Sequence, residues 1–160
     1  MNKNPRIREA HIDDLPTLLA FEQALIAYER PLTPTIKEGE ISYYNIEAYI
    51  QDPEICVLVA TVEDTVIASG YALVKQSAHY KKTTHFAYLG FMYTLPAFRG
   101  NGINQLIINQ LMQWAAERNL TEVQLEVFAE NKSAIRAYEK VGFRSDLIAM
   151  RIDNPNCQGS

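Results

Sequence analysis

Arg99-Gly100-Asn101-Gly102-Ile103-Asn104 is the stretch whose residue types could hold an anion. It lies between an apolar run closed by Pro96 and an amphipathic pattern that begins at Ile103. A strand, a glycine-bearing turn and a helix start gather several backbone N–H groups at one point. Those unpaired donors and the helix dipole both favour phosphate. Gly100 and Gly102 let the backbone approach a ligand with no Cβ in the way, and Arg99 adds a charge at the rim. The same residues also suit plain loop punctuation, so the turn alone names no ligand. Asn131 and Tyr138 form a second pair of interest. Seven residues make about two helical turns, so both side chains project to nearly the same side.

Composition limits what these residues can serve. A chain of 160 residues, 48% hydrophobic and 21% charged, fits one globular domain with a substantial core. No apolar run approaches the roughly 20 residues that span a bilayer, and the polar start Met1-Asn2-Lys3-Asn4 does not read as a signal peptide, so no membrane partner is expected. Cys56 and Cys157 have no metal-ligand spacing and read as reduced thiols of a cytoplasmic protein; His79 and His85 lack a partner at ligand spacing, so no metal is expected. A net charge of −4 argues against nucleic acid as a partner. Residues 1–60 carry 10 Asp/Glu against 5 Lys/Arg, whereas residues 95–145 carry 5 against 6. The first part therefore suits a cationic ligand and the second an anionic one.

The elements that must position these residues follow from pattern. Arg6-Ile7-Arg8 reads as a short strand, and His11 to Asp14 supply caps for a helix carrying Leu15, Leu18, Leu19, Ala24, Leu25 and Tyr28, with Pro16 in its first turn. Pro31, Pro34 and Gly39 mark a loop, and Tyr43 to Ile50 a second helix stopped by Asp52-Pro53. Cys56–Ala60 and Val66–Val74 are strands about a Glu63-Asp64 turn; a polar loop over 75–84 precedes a strand from Phe86 to Leu95. Ile103, Leu106, Ile107, Leu111, Trp114 and Ala115 form one helical stripe. Val123, Leu125 and Val127 alternate as a strand. Asn131 then caps a helix with Ala134, Ile135 and Tyr138 on one face and Gly142 as its C′ residue. Phe143 to Ile152 reads as a last strand. The expected division is a single domain over residues 1–153 and a loose tail over 154–160.

Two motifs at compatible spacing resemble the GNAT superfamily of acetyl-CoA-dependent N-acyltransferases. Arg99 to Asn104 looks like its pyrophosphate loop, Q/R-x-x-G-x-G/A, with Asn104 at the position where the family prefers Gly or Ala. Leu125-Glu126-Val127 through Gly142-Phe143 looks like its second motif block. The likeness is strong over about residues 54–145 and looser before that. It implies an α/β (α+β) fold: a central mixed, mostly antiparallel sheet of six to seven strands flanked by about four helices. It implies acetyl-CoA as donor, with Arg99, Gly100, Asn101, Gly102, Ile103 and Asn104 at the pyrophosphate. Backbone groups of Met92, Tyr93, Thr94 and Leu95 would meet the pantetheine amides, and Asn131 the pantetheine arm. Tyr138 would lie near the thioester sulfur, where a phenol can protonate the departing thiolate.

An ammonium acceptor must lose a proton before it can attack. The strand Tyr88–Thr94 has no carboxylate for this, so Glu126, which resembles the proposed base of bacterial N-terminal protein acetyltransferases of the superfamily, is the candidate base, with a water ordered by Tyr93 as the alternative. Glu22, Glu29, Glu40 and Glu47, with Tyr28, Tyr43 and Tyr44, are candidates to line the acceptor cleft. The expected activity is acetyl transfer from acetyl-CoA to a small or peptide primary amine by direct attack. Rival readings are a protein N-terminal or lysine acetyltransferase and a non-catalytic acyl-CoA sensor. A homodimer is compatible with the family.

Overall fold

Glu63 and Asp64 both take positive φ (50° and 66°), which makes the turn whose twist matches the strands it joins. That turn sets an antiparallel pair, β2 (Cys56–Val62) and β3 (Thr65–Gln76). β1 (Arg6–Glu9) adds antiparallel to β2, and β4 (His85–Thr94) antiparallel to β3. A helix, α3 (Ile103–Glu117), then carries the chain over the sheet so that β5 (Val123–Leu125) can lie parallel to β4. The remaining helices are α1 (Leu15–Glu29), α2 (Ile46–Gln51) and α4 (Lys132–Val141). The computed structural model describes residues 4–157 of the chain. Residues 158–160 of the expected tail and residues 1–3 of the expected domain lie outside it.

The sheet runs β1-β2-β3-β4-β5 and is covered on both faces. On one face, Leu58, Ala60, Ile67, Ala72 and Leu89 pack against Ile103, Ile107, Ile108 and Leu111 of α3. On the other, Val57, Val59, Tyr71, Phe91 and Tyr93 pack against Leu18 and Phe21 of α1 and Ile46 of α2. Among the described residues, no helix is long and apolar enough to cross a membrane.

The expected class holds, a mixed and mostly antiparallel sheet flanked by helices, but among the described residues there are four α-helices and the sheet has five strands rather than six or seven. The missing strand is Phe143–Ile152. Gly142 ends α4 with φ 120°, and the described residues beyond it form no strand. Its alternation reports faces, and no strand edge of the same chain comes alongside. Smaller shifts have local causes. α2 starts at Ile46 because Asn45 caps it through Ala48 N–H (3.2 Å), and β3 runs on to Gln76, into the segment expected as loop. β5 stops at Leu125, short of Val127. Leu19, Tyr28 and Leu106 point to solvent, whereas Glu22 and Ile108 occupy buried positions of their helices.

Candidate functional site

The site begins with an irregularity in β4. Tyr71 pairs with Gly90 and Ser69 with Tyr93, so Gly70 faces two residues, Phe91 and Met92. Phe91 takes φ 55°, an unusual value for a bulky side chain, and Ser69 Oγ donates to its carbonyl at 2.9 Å. This bulge places Gly90 and Phe91 on the same face and bends β4 as it nears its end. Pairing with β5 is confined to Ala87–Leu89 against Val123–Leu125. From Gly90 to Thr94, β4 keeps β3 on one side and has no strand on the other. The sheet therefore opens between β4 and β5, leaving a slot edged by backbone polar groups.

Below the slot lies the anion loop. Gly100 and Gly102 take φ 81° and 75°, conformations that L residues adopt at a cost. A Cβ on either glycine would meet nothing within 4 Å, so the glycines serve backbone shape and leave open space beside it. The first N–H of α3 to find a helical acceptor is that of Leu106, which donates to Gly102 O at 3.1 Å. The amides of Ile103, Asn104 and Gln105 are left pointing out of the helix start. Asn101 braces the loop, its Nδ2 donating to the carbonyls of Phe98 (3.1 Å) and Arg99 (3.3 Å). Arg99 donates through Nε to Thr94 O at 2.9 Å and lies 5.7 Å from the Tyr93 ring centre, which ties the loop to the end of β4. Leu95 has both backbone groups engaged, its N–H with Ile67 O and its carbonyl with Phe98 N–H. Of the four residues expected at the pantetheine, it has the least to offer. Asn104 is half-buried, and its side chain has no hydrogen bond to the other described residues.

α4 supplies the third part. Asn131 is buried and caps the helix, its Oδ1 accepting from Ala134 N–H at 3.3 Å, so its amide NH2 stays free for a ligand. Tyr138 is half-buried with its ring edge-on to Phe143, 6.0 Å between centres. Burial pushes its phenol up to about 12, with the charge of Glu29 and the neighbouring Tyr88 adding to the effect. It is protonated at neutral pH and so able to give a proton. Glu126 is exposed just past β5. Its charge acts on Tyr88, whose phenol is pushed up to about 12 by burial first and by Glu126 next, and on Tyr71.

On the opposite face of the slot the loop between α1 and α2 is laced to α1. Glu22, fully buried, accepts the N–H groups of Tyr43 and Tyr44 through Oε2, both at 2.9 Å. Gln23 Nε2 donates to Ile41 O at 2.9 Å, and Arg30 donates to the carbonyls of Lys37 and Gly39. These bonds hold Tyr44 against Tyr71 and Phe91, with Tyr43 edge-on to Tyr44 and with Tyr49 and Tyr88 packed on Tyr71. Glu29 is half-buried there; burial raises its carboxyl above the usual range, while Tyr43 pulls the other way. Of the acids expected to line a cleft, Glu22 is an internal anchor, Glu40 and Glu47 are solvent-exposed, and Glu29 alone faces the aromatic cluster. Tyr28 is exposed. Tyr71, Tyr88 and Ser69 carry no motif that would have singled them out. Tyr93 packs on Phe21 at 4.9 Å, inside the α1 face, which leaves it poorly placed to order a relay water. A surface concavity of about 600 Å³ lies at the far end of β4 around Lys82, His85 and Arg118, away from these groups.

The model of the acetyltransferase (GNAT) family matches residues 20–143. Human N-alpha-acetyltransferase 30 is 30% identical over 106 residues, 66% of this chain but 28% of that protein. The match thus spans little more than a quarter of that relative's length. Pig thialysine N-epsilon-acetyltransferase is 27% identical over 143 residues, covering 86% of this chain and 83% of that protein. Among solved structures, the tetramutant BH1408 protein of Bacillus halodurans superposes with a TM-score of 0.82 at 20% identity, covering 92% of this chain and 99% of that one. A protein of Clostridium acetobutylicum, solved as a predicted acetyltransferase with acetyl-CoA, superposes with a TM-score of 0.70 at 21% identity, covering 94% and 96%.

Proposed function

The chain belongs to the acetyltransferase (GNAT) family, and from that premise we propose that it transfers the acetyl group of acetyl-CoA to a primary amine by direct attack. The observation that carries this reading is the opening of β4 from β5 directly above an anion loop with unpaired amides. The residues present fit the donor. The open space beside Gly100 and Gly102 admits a pyrophosphate, and the first-turn amides of α3 with Arg99 neutralise it. The free edge of β4 at Met92, Tyr93 and Thr94 takes pantetheine amides and, with an N–H aimed at the carbonyl oxygen, polarises the thioester. Asn131 adds its NH2 to the pantetheine arm. Acetyl-CoA supplies an activated acetyl group.

Tyr138 gives its proton to the departing thiolate, a role its raised pKa keeps available across the neutral range. Glu126 takes the proton of the incoming ammonium, directly or through water, from a position next to Tyr88. Glu29, on the acceptor side of the aromatic cluster, attracts the cation. An acetyl-enzyme route is disfavoured because burial pushes the Cys56 thiol up to about 11 and Cys157 lies in the exposed tail. Residues 1–153 act as one acetyltransferase domain in this reading. The likeness to N-alpha-acetyltransferase 30 favours a peptide N-terminal amine as acceptor, and the likeness to thialysine N-epsilon-acetyltransferase a side-chain-like amine.

The test is acceptor-dependent release of free CoA thiol with a panel of peptides and small amines. We expect release with at least one class, lowered about 10²–10⁴-fold by Tyr138→Phe if the phenol is the general acid. CoA binding without release across the panel supports a sensor instead. Release untouched by Tyr138→Phe removes the proton-donor role.

A further inference from the structure

We propose that Lys75 selects primary amines that carry a carboxylate several bonds away, the acid docking on Lys75 while the amine reaches Glu126. This names the acceptor class of the acetyl-transfer reading and rests on it. Lys75 lies near the end of β3, its Nζ over the Tyr88 ring and 3.6 Å from the ring centre. It is exposed and forms no ion pair with the other described residues. An ammonium seated on an aromatic face is fixed in place while its donors stay open to an anion.

The sheet register sets this cation within reach of the proposed base. Leu73 pairs with Tyr88, and Tyr88 with Gln124. Lys75 stands two residues beyond Leu73 and Glu126 two beyond Gln124, so both share the Tyr88 face, on diagonals to either side of it. Such diagonals run about 7–8 Å at the backbone. Both side chains then lean onto one phenol, Lys75 over its ring and Glu126 at its hydroxyl, which burial first and the charge and hydrogen bond of Glu126 next keep protonated. Glu126 lies toward the open slot, and Lys75 toward the start of β4.

The lane between them is open. α1 and α2 cover this face over Val57, Val59, Phe91 and Tyr93, whereas Phe86 and Tyr88 are half-buried and Gln124 is exposed. Glu122 is engaged by Gln124, whose Nε2 donates to it at 2.6 Å, and so leaves Lys75 to a ligand. An amine entering at the slot lays the rest of its molecule over Tyr88, where an acid meets Lys75. A second ammonium in the same place meets like charge, so Lys75 discriminates in both directions. An acidic side chain at the second residue of a peptide and the acid end of an ω-amino acid present the same group at this reach. The carboxylate of an α-amino acid, next to its amine, falls short of Lys75.

The test is release of CoA thiol by the full chain with matched acceptors: peptides with Glu or Gln as second residue, and aminohexanoate against its amide. In at least one pair kcat/KM should favour the acid about 3–10-fold, mainly through KM, with the margin shrinking as salt is raised. Lys75→Met should bring that ratio close to one, Lys75→Arg should keep it, and Lys75→Glu should invert it. Which pair shows the preference tells a peptide acceptor from a small amino acid. Release without preference for the acid, or a preference that Lys75→Met leaves in place, overturns the inference while acetyl transfer stands. No release with any acceptor overturns the acetyl-transfer reading, and this inference with it.

Discussion

The two faces of this sheet are built from different chemistry. The α3 face is aliphatic: Ile67, Leu89, Ile107, Ile108 and Leu111 are each shielded from solvent and offer nothing to a ligand but shape. The α1/α2 face is rich in phenols, with Tyr43, Tyr44, Tyr49, Tyr71 and Tyr88 in a chain of ring contacts, Glu22 holding the Tyr43 and Tyr44 end of it and Glu29 beside Tyr43. Burial there raises the phenols of Tyr43, Tyr44 and Tyr71, so they remain hydrogen-bond donors at any physiological pH. On the proposed reading, the face that receives the acceptor keeps its donors dry and its rings packed together. A face that must hold the anion loop steady keeps close-packed hydrocarbon. The slot between β4 and β5 is where the two meet.

The comparison breaks most visibly on the aliphatic side. Leu111→Ala leaves a cavity under α3 and should cost about 2–5 kcal/mol in urea unfolding. Its KM values, measured well below the new midpoint, should stay within twofold. A changed acceptor KM with little loss of stability would show that the faces are not separate in function.

Two glycines test the same division by adding one methyl to each face. At Gly70 a Cβ would come 2.7 Å from Met92 Sδ and 2.8 Å from Ile107 Cγ2; at Gly90 it would come 2.8 Å from Cε2 of the Tyr71 ring. Overpacking of this size costs about 1–3 kcal/mol. Gly70→Ala should register as stability lost with acceptor KM retained, since the Met92 chain can swing away. Gly90→Ala meets a ring that has nowhere to go, and should raise acceptor KM severalfold as Tyr71 and Tyr44 shift together.

Glu22→Ala removes the acceptor shared by the N–H groups of Tyr43 and Tyr44. Two unmet donors in a partly buried loop cost about 1–3 kcal/mol. Faster hydrogen exchange should be confined to residues 41–45, with acceptor KM raised and CoA binding unaltered. Protection that is lost evenly across the sheet would mean Glu22 holds the fold rather than the acceptor wall.

How much of this division was readable beforehand follows the range of the interactions. The anion loop and α4 were legible because their signals are local: glycines at fixed offsets, a cap, a seven-residue interval. The hairpin of β2 and β3 and the run of β4 were legible from apolar runs and the turn residues between them. The bulge at Phe91 was not legible, because nothing in Tyr88–Thr94 marks which residue will take a positive φ; Ser69, 22 positions away, holds it. Glu22 reads as a cleft acid rather than an internal anchor because helical spacing says which face a residue is on and not that a distant loop will bring two N–H groups to it. Phe143–Ile152 failed for the opposite reason. Its strand pattern was clear, and the missing ingredient is the edge it pairs with.

Acid provides the finest separation of the faces, since only one of them is held by carboxylates. Asp14, at the entry to α1, accepts from both Nη1 (2.7 Å) and Nη2 (3.0 Å) of Arg8 and from His11 N–H (2.7 Å). These bonds, the one from Arg8 foremost, hold its carboxyl below the ordinary 3.8 despite partial burial. A carboxyl lower in the fold than in the unfolded chain stabilises above about pH 4, and that stabilisation fades as pH falls through the folded value. Asp14→Asn should therefore cost about 1 kcal/mol at pH 7 and flatten the stability slope below pH 4. Glu29, raised by burial, runs the other way: its contribution is full at low pH and declines as pH rises through its folded value. Glu29→Gln should remove that decline without touching the acid limb. If Asp14→Asn leaves the acid limb unchanged, the Arg8 pair is too well solvated to matter, and α1 is held to the sheet by its apolar face alone.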